Sequence, residues 1–390
     1  MLQRPVHLVC ASISILVPCV LSASRLALAG EQPDSRAVLG VPTIDLASDR
    51  ARRTIIDREP GVYLGHPTTV LLEDQKTILC VYPRGHGRGA IYLRRSHDGG
   101  RTWSGRLPTP ANWETSLETP TIHRTVDASG KRRLVVFSGL YPIRRAVSED
   151  DGKTWTPLEA IGEFGGIVAM SSVFRVANGD AVALFHDDGR FFTKDGRRKS
   201  PPEFQVYATR SRDGGVTWGP PRSIATHASA HLCEPGVVRS LDGERLAVLL
   251  RENSRRHESF VIWSGDEGET WSKPHELPRA LTGDRHVARY APDGRLVVTF
   301  RDMAKDSPTH GDFCAWVGRF EDITAGRPGQ YRVRLLDNRS SPSDTGYAGL
   351  EVLPDGTLVS TTYCVIEDGE KPLVVAVRYR LDEIDALARR

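Results

Sequence analysis

The sequence has a small net charge, few cysteines and no long apolar run beyond its N-terminus. Its 390 residues hold 52 Lys and Arg against 49 Asp and Glu, and a net charge of only +3 argues against general nucleic-acid binding. After residue 29 no stretch is long and apolar enough to predict a membrane span. Amphipathic helical patterns are nearly absent before Leu381, which disfavours a helical or an α/β fold.

Cysteine is present at six positions, and four of these follow the N-terminal leader. The four are Cys80, Cys233, Cys314 and Cys364. None of them has the spacing of a metal-ligand set, and the sequence predicts neither a metal site nor a cofactor. Each falls on a different predicted strand, which favours buried free thiols. A Cys80–Cys364 disulfide is the alternative, because an oxidising compartment would permit it.

Residues 1–29 have the pattern of a signal peptide. Arg4 precedes a mostly apolar stretch, and Ala27-Leu28-Ala29 has the A-x-A form of a cleavage site. A membrane anchor is the alternative, but Ser and Pro interrupt the run, which is short for a span. We expect a secreted or periplasmic protein, whose mature chain has 50 basic and 49 acidic residues. A weakly patterned lead-in follows at 30–52.

One eight-residue motif, Ser-x-Asp-x-Gly-x-Thr-Trp, occurs four times. The copies are Ser96–Trp103, Ser148–Trp155, Ser211–Trp218 and Ser264–Trp271. Their Asp residues are 52, 63 and 53 residues apart, a repeat length typical of one small antiparallel sheet per unit. The Asp side chain can bond the backbone of its own turn, and Gly permits a positive φ in a tight hairpin.

Six segments share the order of a strand, a turn rich in Asp, Asn and Gly, and an apolar second strand. These turns begin at Asp74, Asp127, Asn178, Asp242, Asp293 and Asp355. The pattern predicts an all-β fold over residues 53–390, a six-bladed β-propeller of four-stranded antiparallel blades. Blades five and six lack the motif. We expect a strand from the lead-in to complete the last blade, because full closure removes exposed sheet edges.

Polar residues recur at one position of these units, eight residues before each turn. This first set contains His66, Glu234, Arg285 and Tyr347, with Met170 in the third unit and Thr119 or Glu118 in the second. A second set follows the apolar strands and contains Arg84, His186, Arg251, Arg301 and Tyr363. Since equivalent positions of a propeller face one another around the channel, both sets predict one pocket. Because buried charges are rare in a packed core, these polar sets favour a functional pocket over core packing.

The four motifs resemble the Asp-boxes of the sialidase superfamily, which lie on the propeller rim, away from the active site. Glu234 followed by Arg251, and Tyr347 before an apolar stretch and an Asp-Gly turn, resemble the family's base, carboxylate-binding arginine and nucleophile. The resemblance implies that Tyr347 attacks the sugar while Glu234 takes its proton. A phenol is a poor nucleophile at neutral pH until a carboxylate takes its proton.

The first blade departs from that family. Gly65-His66-Pro67 stands where the family has an arginine, and the loop from Pro83 to Gly89, where the family has its acid/base Asp, holds no carboxylate. We expect His86 or His66 to take the acid/base role, with Glu118 and Asp187 next in line.

The predicted substrate contacts are Arg251, Arg285, Arg301, His66, Arg84, Glu118, His186 and Asp187. Arg251 would hold an acidic group together with Arg285 or Arg301, and Arg289 is a further candidate for a third arginine. Arginine suits this task because its planar guanidinium binds a carboxylate through two parallel hydrogen bonds.

The sequence therefore predicts an exported glycoside hydrolase that removes a terminal acidic sugar, a sialic or a uronic acid, from a glycan. One alternative is a lyase of the same fold that acts on uronate glycans with a Tyr/His pair. The other is a carbohydrate-binding propeller without catalysis, a less favoured reading because Glu234 and Tyr347 are both present. The oligomeric state is left open.

Overall fold

The computed structural model describes residues 35–197, 199–340 and 343–389, so the predicted signal peptide lies outside the described residues. The N-terminal part consists of short elements: helix α1 (Ser35–Leu39), strand β1 (Thr43–Asp45), a 3-10 turn (Arg50–Arg52) and strand β2 (Arg53–Asp57). Six antiparallel sheets then follow one another along the chain and form the blades of a propeller.

The first three blades lie between residues 68 and 226. Blade one contains β3 (Thr68–Leu71), β4 (Ile78–Pro83) and β5 (Ile91–Ser96), followed by a 3-10 helix (Ala111–Thr115). Blade two contains β6 (Thr121–Val126), β7 (Arg132–Ser138), β8 (Arg144–Ser148) and β9 (Glu159–Ala160). Blade three contains β10 (Ile167–Arg175), β11 (Ala181–Asp187), β12 (Gln205–Ser211) and β13 (Arg222–Thr226).

The last three blades complete the ring. Blade four contains β14 (Leu232–Arg239), β15 (Leu246–Glu252), β16 (Phe260–Ser264) and β17 (His275–Glu276), followed by a 3-10 turn (Arg279–Leu281). Blade five contains β18 (Gly283–Tyr290), β19 (Leu296–Asp302), β20 (Phe313–Gly318), helix α2 (Phe320–Thr324) and β21 (Tyr331–Leu336). Blade six contains β22 (Gly349–Val352), β23 (Leu358–Cys364) and β24 (Leu373–Tyr379), and helix α3 (Leu381–Ala388) follows it.

Strand β2 closes the ring, because it pairs antiparallel with β24 as the outermost strand of blade six. The prediction of an N-terminal closing strand is confirmed, although β2 begins at Arg53, just past the lead-in. The strand inside the lead-in is β1, which pairs parallel with β21 and gives blade five a fifth strand. In blade one an irregular segment takes the fourth position, where Ser104 N donates to Arg95 O at 2.8 Å and Leu107 N to Leu93 O at 2.8 Å.

Each Asp-box forms a tight turn at the end of the third strand of its blade, as predicted. In the third box, Asp213 accepts hydrogen bonds from Ser211 Oγ at 2.8 Å and from Thr217 N at 2.9 Å. Gly215 has a φ of +92°, and a Cβ there would lie 2.9 Å from Val135 in blade two. The glycine is therefore required twice, by the turn and by the close approach of the preceding blade.

Short helices take the place of the missing boxes in blades five and six. Phe320 and Ile323 of α2 are buried, as are Leu381 and Ile384 of α3. These helices cover apolar strand surface that a box turn covers in blades one to four. The predicted C-terminal helix is confirmed, whereas α2 was not expected.

The four cysteines of the described residues are all buried and free, so the Cys80–Cys364 disulfide is not formed. The prediction of buried free thiols is confirmed. Across the described ranges, no helix has both the length and the apolarity needed to cross a membrane.

We predict that Asp213→Ala destabilises the protein by about 2 kcal/mol, because a charged acceptor of several hydrogen bonds is lost from the turn. The matched control is Arg212→Ala, an exposed residue beside it. Chemical denaturation should show the loss in the Asp213 variant and a change within about 0.5 kcal/mol in the control. Equal stability of the two variants would show that the box turn does not hold the blade.

Candidate active site

A shared turn of the backbone explains why polar residues recur at one position of the blades. His66, Glu234 and Arg285 have positive φ values of 53°, 50° and 57°. Each lies just before its innermost strand enters the regular ladder. A left-handed non-glycine residue is costly and persists where its surroundings determine its conformation, which is typical of functional sites.

The mouth of the channel holds a pocket of about 310 Å³ that contains most of the predicted residues. The predicted residues on its wall are His66, His86, Glu118, His186, Glu234, Arg251, Arg301 and Tyr347. Arg84, Asp187 and Arg285 are not on this wall. The wall also contains Tyr363, a member of the second predicted set, and three residues that were not predicted, Asp188, Arg190 and Asp344.

Tyr347 and Glu234 are in direct contact in this pocket. The Tyr347 hydroxyl donates a hydrogen bond to Glu234 Oε1, and Arg251 Nη1 lies 2.7 Å from the same oxygen. Burial opposes ionisation of Glu234, but Arg251 and the Tyr347 hydroxyl outweigh it and lower the pKa of Glu234. Burial raises the pKa of Tyr347. The pair therefore consists of an ionised carboxylate that accepts a hydrogen bond from a neutral phenol.

A buried carboxylate joins Arg251 to Arg301, another arginine of the pocket wall. Asp284 is fully buried, and its two oxygens lie 3.1 Å from Arg251 Nε and 2.9 Å from Arg301 Nε. Arg255 Nη1 lies 2.6 Å from the same carboxylate. Although burial opposes its ionisation, the three guanidinium groups hold the pKa of Asp284 below its usual range. Arg251 and Arg301 are thus fixed relative to each other and to Glu234.

Asp344 organises the opposite wall of the pocket. Its carboxylate accepts hydrogen bonds from Tyr363 Oη at 2.6 Å and Tyr63 Oη at 2.8 Å. His86 Nδ1 lies 2.9 Å from Tyr63 Oη and 3.6 Å from Asp344, while 67% of the His86 side chain is exposed. The nearby carboxylate of Asp344 raises the pKa of His86. His86 is therefore a solvent-accessible imidazole whose protonated form is favoured.

His66 lies between the two walls. Its ring is 4.5 Å from that of Tyr347 and 4.7 Å from that of His86. Burial lowers the pKa of His66 to about 3, so the imidazole is neutral at physiological pH. His66, His86 and Asp344 offer ligand atoms within 4.8 Å of one another, a set that could hold a divalent metal, although two tyrosine hydroxyls already bond the carboxylate.

His186 and Glu118 complete the predicted set within the pocket. His186 Nδ1 accepts a hydrogen bond from Glu234 N at 3.3 Å, and burial lowers its pKa to about 4. Glu118 accepts a hydrogen bond from Thr119 N at 2.9 Å, and burial raises its pKa. His186 therefore supports the backbone of Glu234, whereas Glu118 presents a carboxyl group to the pocket.

Three predicted residues lie beside the pocket. Asp187 accepts hydrogen bonds from the backbone of Gly189 and Phe191, and so shapes the loop that carries the Asp188–Arg190 ion pair on the wall. Arg84 is half exposed and lies 3.4 Å from Glu59. Arg285 reaches into the central channel behind the pocket. A substrate contact of these residues stays a prediction.

Two acidic residues of the site, Asp284 and Asp344, were not predicted. Asp284 had a weak sequence signal, because it directly precedes Arg285, a member of the repeated set. Asp344 lies three residues before Tyr347 in an irregular segment, where neither a strand period nor a turn motif indicates its direction.

Comparison with known proteins agrees with this architecture. Residues 139–306 match the BNR repeat-like domain. The sialidase of Paraclostridium sordellii is 28% identical over 191 residues, which cover 42% of this chain and 45% of that protein. The match thus spans less than half of the relative's length.

Solved structures share the fold at low sequence identity. A protein of unknown function from Dyadobacter fermentans superposes with a TM-score of 0.67 at 15% identity, covering 84% of this chain and 97% of its own. The NanB sialidase of Streptococcus pneumoniae superposes with a TM-score of 0.56 at 11% identity, and the match covers 85% of this chain and 71% of the sialidase chain. The solved structures show the propeller fold, and the four Asp-boxes, the BNR repeat-like segment and the matching relative support a BNR-repeat propeller that is similar to sialidases.

Proposed function

We propose that this protein is a retaining exo-glycosidase that removes a terminal acidic sugar from a glycan, with Tyr347 as nucleophile and Glu234 as its base. The observation that carries the proposal is the hydrogen bond from the buried Tyr347 hydroxyl to Glu234 inside the pocket. Retaining enzymes need a nucleophile that forms a glycosyl intermediate and an acid that protonates the leaving oxygen. Similarity to sialidases supports a hydrolase of this kind.

In the first step Glu234 takes the phenolic proton while Tyr347 Oη attacks the anomeric carbon. The bond to the leaving oxygen breaks, and this oxygen takes a proton from the acid. In the second step the former acid takes a proton from water, whose oxygen attacks the anomeric carbon. Tyr347 then leaves and regains its proton from Glu234. Each group returns to its starting state, as the principle of microscopic reversibility requires.

His86 is the acid in this proposal. Asp344 raises the pKa of His86, so the imidazolium form persists closer to neutral pH. Its Nδ1 faces Tyr63 and Asp344, which leaves Nε2 free to donate a proton. In the family, a carboxyl group on the first-blade loop supplies this proton. Here His86 of the first-blade loop would supply it, supported by Asp344 from the segment before blade six. Glu118, whose pKa burial raises, is the alternative acid.

Arg251 and Arg301 would bind the acidic group of the sugar. Both line the pocket, and Asp284 holds their guanidinium groups in place. Arg251 also contacts Glu234, so a carboxylate bound there lies close to the nucleophile. A sialic acid and a uronic acid both satisfy this arrangement. We further propose that the protein is exported, on the basis of the signal-peptide pattern at 1–29, and N-terminal sequencing of the extracellular protein would test this.

A lyase that acts on uronate glycans is a second candidate, and one observation favours it. The neutral His66 ring lies against Tyr347 and close to Tyr363, so a Tyr/His pair is available to move a proton next to a uronate carboxylate. An unsaturated lyase product absorbs in the ultraviolet, whereas a hydrolase product does not. Binding to a glycan without turnover would favour the third alternative, a carbohydrate-binding propeller.

We predict that the mature protein releases an acidic monosaccharide from a panel of sialosides and uronate-capped oligosaccharides, without new ultraviolet absorbance. A fluorinated substrate analogue with a good leaving group should leave one sugar attached to Tyr347, seen by intact-mass and peptide analysis. Tyr347→Phe should lose both the adduct and turnover. An adduct on another residue would contradict the assignment of the nucleophile.

We predict that His86→Ala keeps activity on activated aryl glycosides and loses activity on natural glycosides by roughly 10²–10⁴-fold, because only the natural leaving group needs a proton. Steady-state rates on both substrate types measure this ratio. Arg84→Ala is the control on the same loop, and it should change the activity on aryl glycosides and on natural glycosides by the same factor. Equal loss on both types in His86→Ala would show that His86 binds substrate rather than donating a proton.

We predict that Asp344→Asn lowers the pKa of His86, because the carboxylate that favours the imidazolium is lost. NMR titration of the His86 ring protons, assigned with His86→Ala, measures the shift. The control Tyr63→Phe keeps the Asp344 charge, so the pKa of His86 should stay raised in this variant. An unchanged His86 pKa in Asp344→Asn would show that Asp344 does not favour the protonated form of His86.

A further inference from the structure

Three side chains that commonly bind metal ions meet on the wall of the pocket. His66 precedes β3, His86 lies in the loop between β4 and β5, and Asp344 lies in the segment before blade six. One ring nitrogen of each histidine and one oxygen of Asp344 lie within 4.8 Å of one another. Sequence spacing does not reveal such a set, because closure of the ring brings blade one beside blade six.

The present contacts of these side chains leave ligand atoms available. Each Asp344 oxygen accepts one hydrogen bond, from Tyr363 or from Tyr63, whereas a carboxylate offers about four lone-pair sites. His66 Nδ1 is buried and has no hydrogen-bond partner among the described residues, and its Nε2 lies 3.3 Å from Tyr363 Oη. The two tyrosine hydroxyls would stay as outer-shell donors that orient the carboxylate toward an ion.

The distances suit a small transition-metal ion. Zinc binds imidazole nitrogens and carboxylate oxygens at roughly 2.0–2.2 Å, so ligand atoms at the corners of a tetrahedron lie roughly 3.3–3.6 Å apart. His86 Nδ1 already lies 3.6 Å from Asp344. The largely exposed His86 side chain is able to move closer, whereas His66 is buried. Coordination therefore needs a small movement of one exposed side chain.

The donor set favours zinc or a similar ion over calcium and magnesium. Two imidazoles and one carboxylate suit transition metals, whereas calcium prefers six to eight oxygen ligands. Arg301 is an opposing charge nearby, because its Nη1 donates to the carbonyl of Ser343, the residue before Asp344. The pocket wall as a whole holds four carboxylates and three arginines, so it does not repel a cation. All three ligands line the pocket, which leaves the fourth position of a tetrahedron toward the pocket.

We propose that His66, His86 and Asp344 form a transition-metal site that takes Zn²⁺, and that the bound ion inhibits the enzyme. The inhibition rests on the proposed function, whereas the binding of the ion does not. Zinc would occupy a nitrogen lone pair of His86 and displace any proton there to solvent. A coordinated imidazole is no longer the imidazolium that protonates the leaving oxygen, so the metal-free protein is the active form.

We predict that the mature protein, freed of metal with a chelator, binds one Zn²⁺ per chain in competition with a chromophoric chelator. Co²⁺ in its place should give the visible absorption bands of a four-coordinate ion. His86→Ala and Asp344→Asn should each weaken zinc binding by at least the roughly 10–100-fold that loss of an outer-shell partner costs. His66→Ala should act alike, and if this buried position does not tolerate alanine, the exposed His86 decides the test.

The matched control for adventitious binding is His257→Ala. This variant breaks another histidine–carboxylate pair on the surface, in which His257 Nδ1 lies 3.0 Å from Glu276. It should bind zinc with the affinity of the wild type. An equal affinity of wild type and His86→Ala would overturn the site, as would an equal loss of affinity in His257→Ala and His86→Ala.

Saturating Zn²⁺ should lower wild-type activity on natural glycosides at least about tenfold, because the acid is lost. The remaining aryl-glycosidase activity of His86→Ala should not respond to the same zinc concentration. Full activity with bound zinc would overturn the inhibition. Activity that a chelator removes and zinc restores would also overturn it, because the ion would then be a cofactor. Wild type without glycosidase activity would overturn the proposed function, while zinc affinity and the Co²⁺ spectrum still decide the metal site.

Discussion

The chemistry of the pocket depends on one hydrogen bond, from the buried Tyr347 hydroxyl to Glu234. Burial makes the phenol harder to ionise, so a neighbouring carboxylate must take its proton before the oxygen is nucleophilic. The same burial would protonate an isolated carboxylate. Arg251 prevents this by contact with Glu234, and the rest of the charge network holds Arg251 in place.

The propeller supplies this network because blades one, four and five each contribute a sharp turn at the channel mouth. Glu234 comes from blade four, Asp284 and Arg285 from blade five, and Tyr347 from the segment before blade six. The positive φ at His66, Glu234 and Arg285 directs these residues away from a regular strand. The blades pack through the Asp-box turns, and β2 closes the ring, so these positions are held in place. A buried charge network needs such fixed positions, because a network with unsatisfied members is costly.

Much of this arrangement was predictable from the sequence. The four boxes and six turns indicated six blades, and the offset of eight residues from each turn located His66, Glu234 and Tyr347, which all line the pocket. The offset could not show that Arg285 reaches into the channel, because a period describes the backbone and not the path of a long side chain. Asp344 lies in an irregular segment without a period, so its contact with His86 depended on tertiary packing.

The account makes Tyr347 a nucleophile and not merely a hydrogen-bond donor, and the stereochemistry of the product tests this claim most directly. Two displacements at one carbon restore its configuration, whereas direct attack by water inverts it. Proton NMR of the sugar released in the first minutes, before mutarotation, distinguishes the two anomers. The account predicts that the first product has the same anomeric configuration as the substrate. Initial release of the opposite anomer would contradict it.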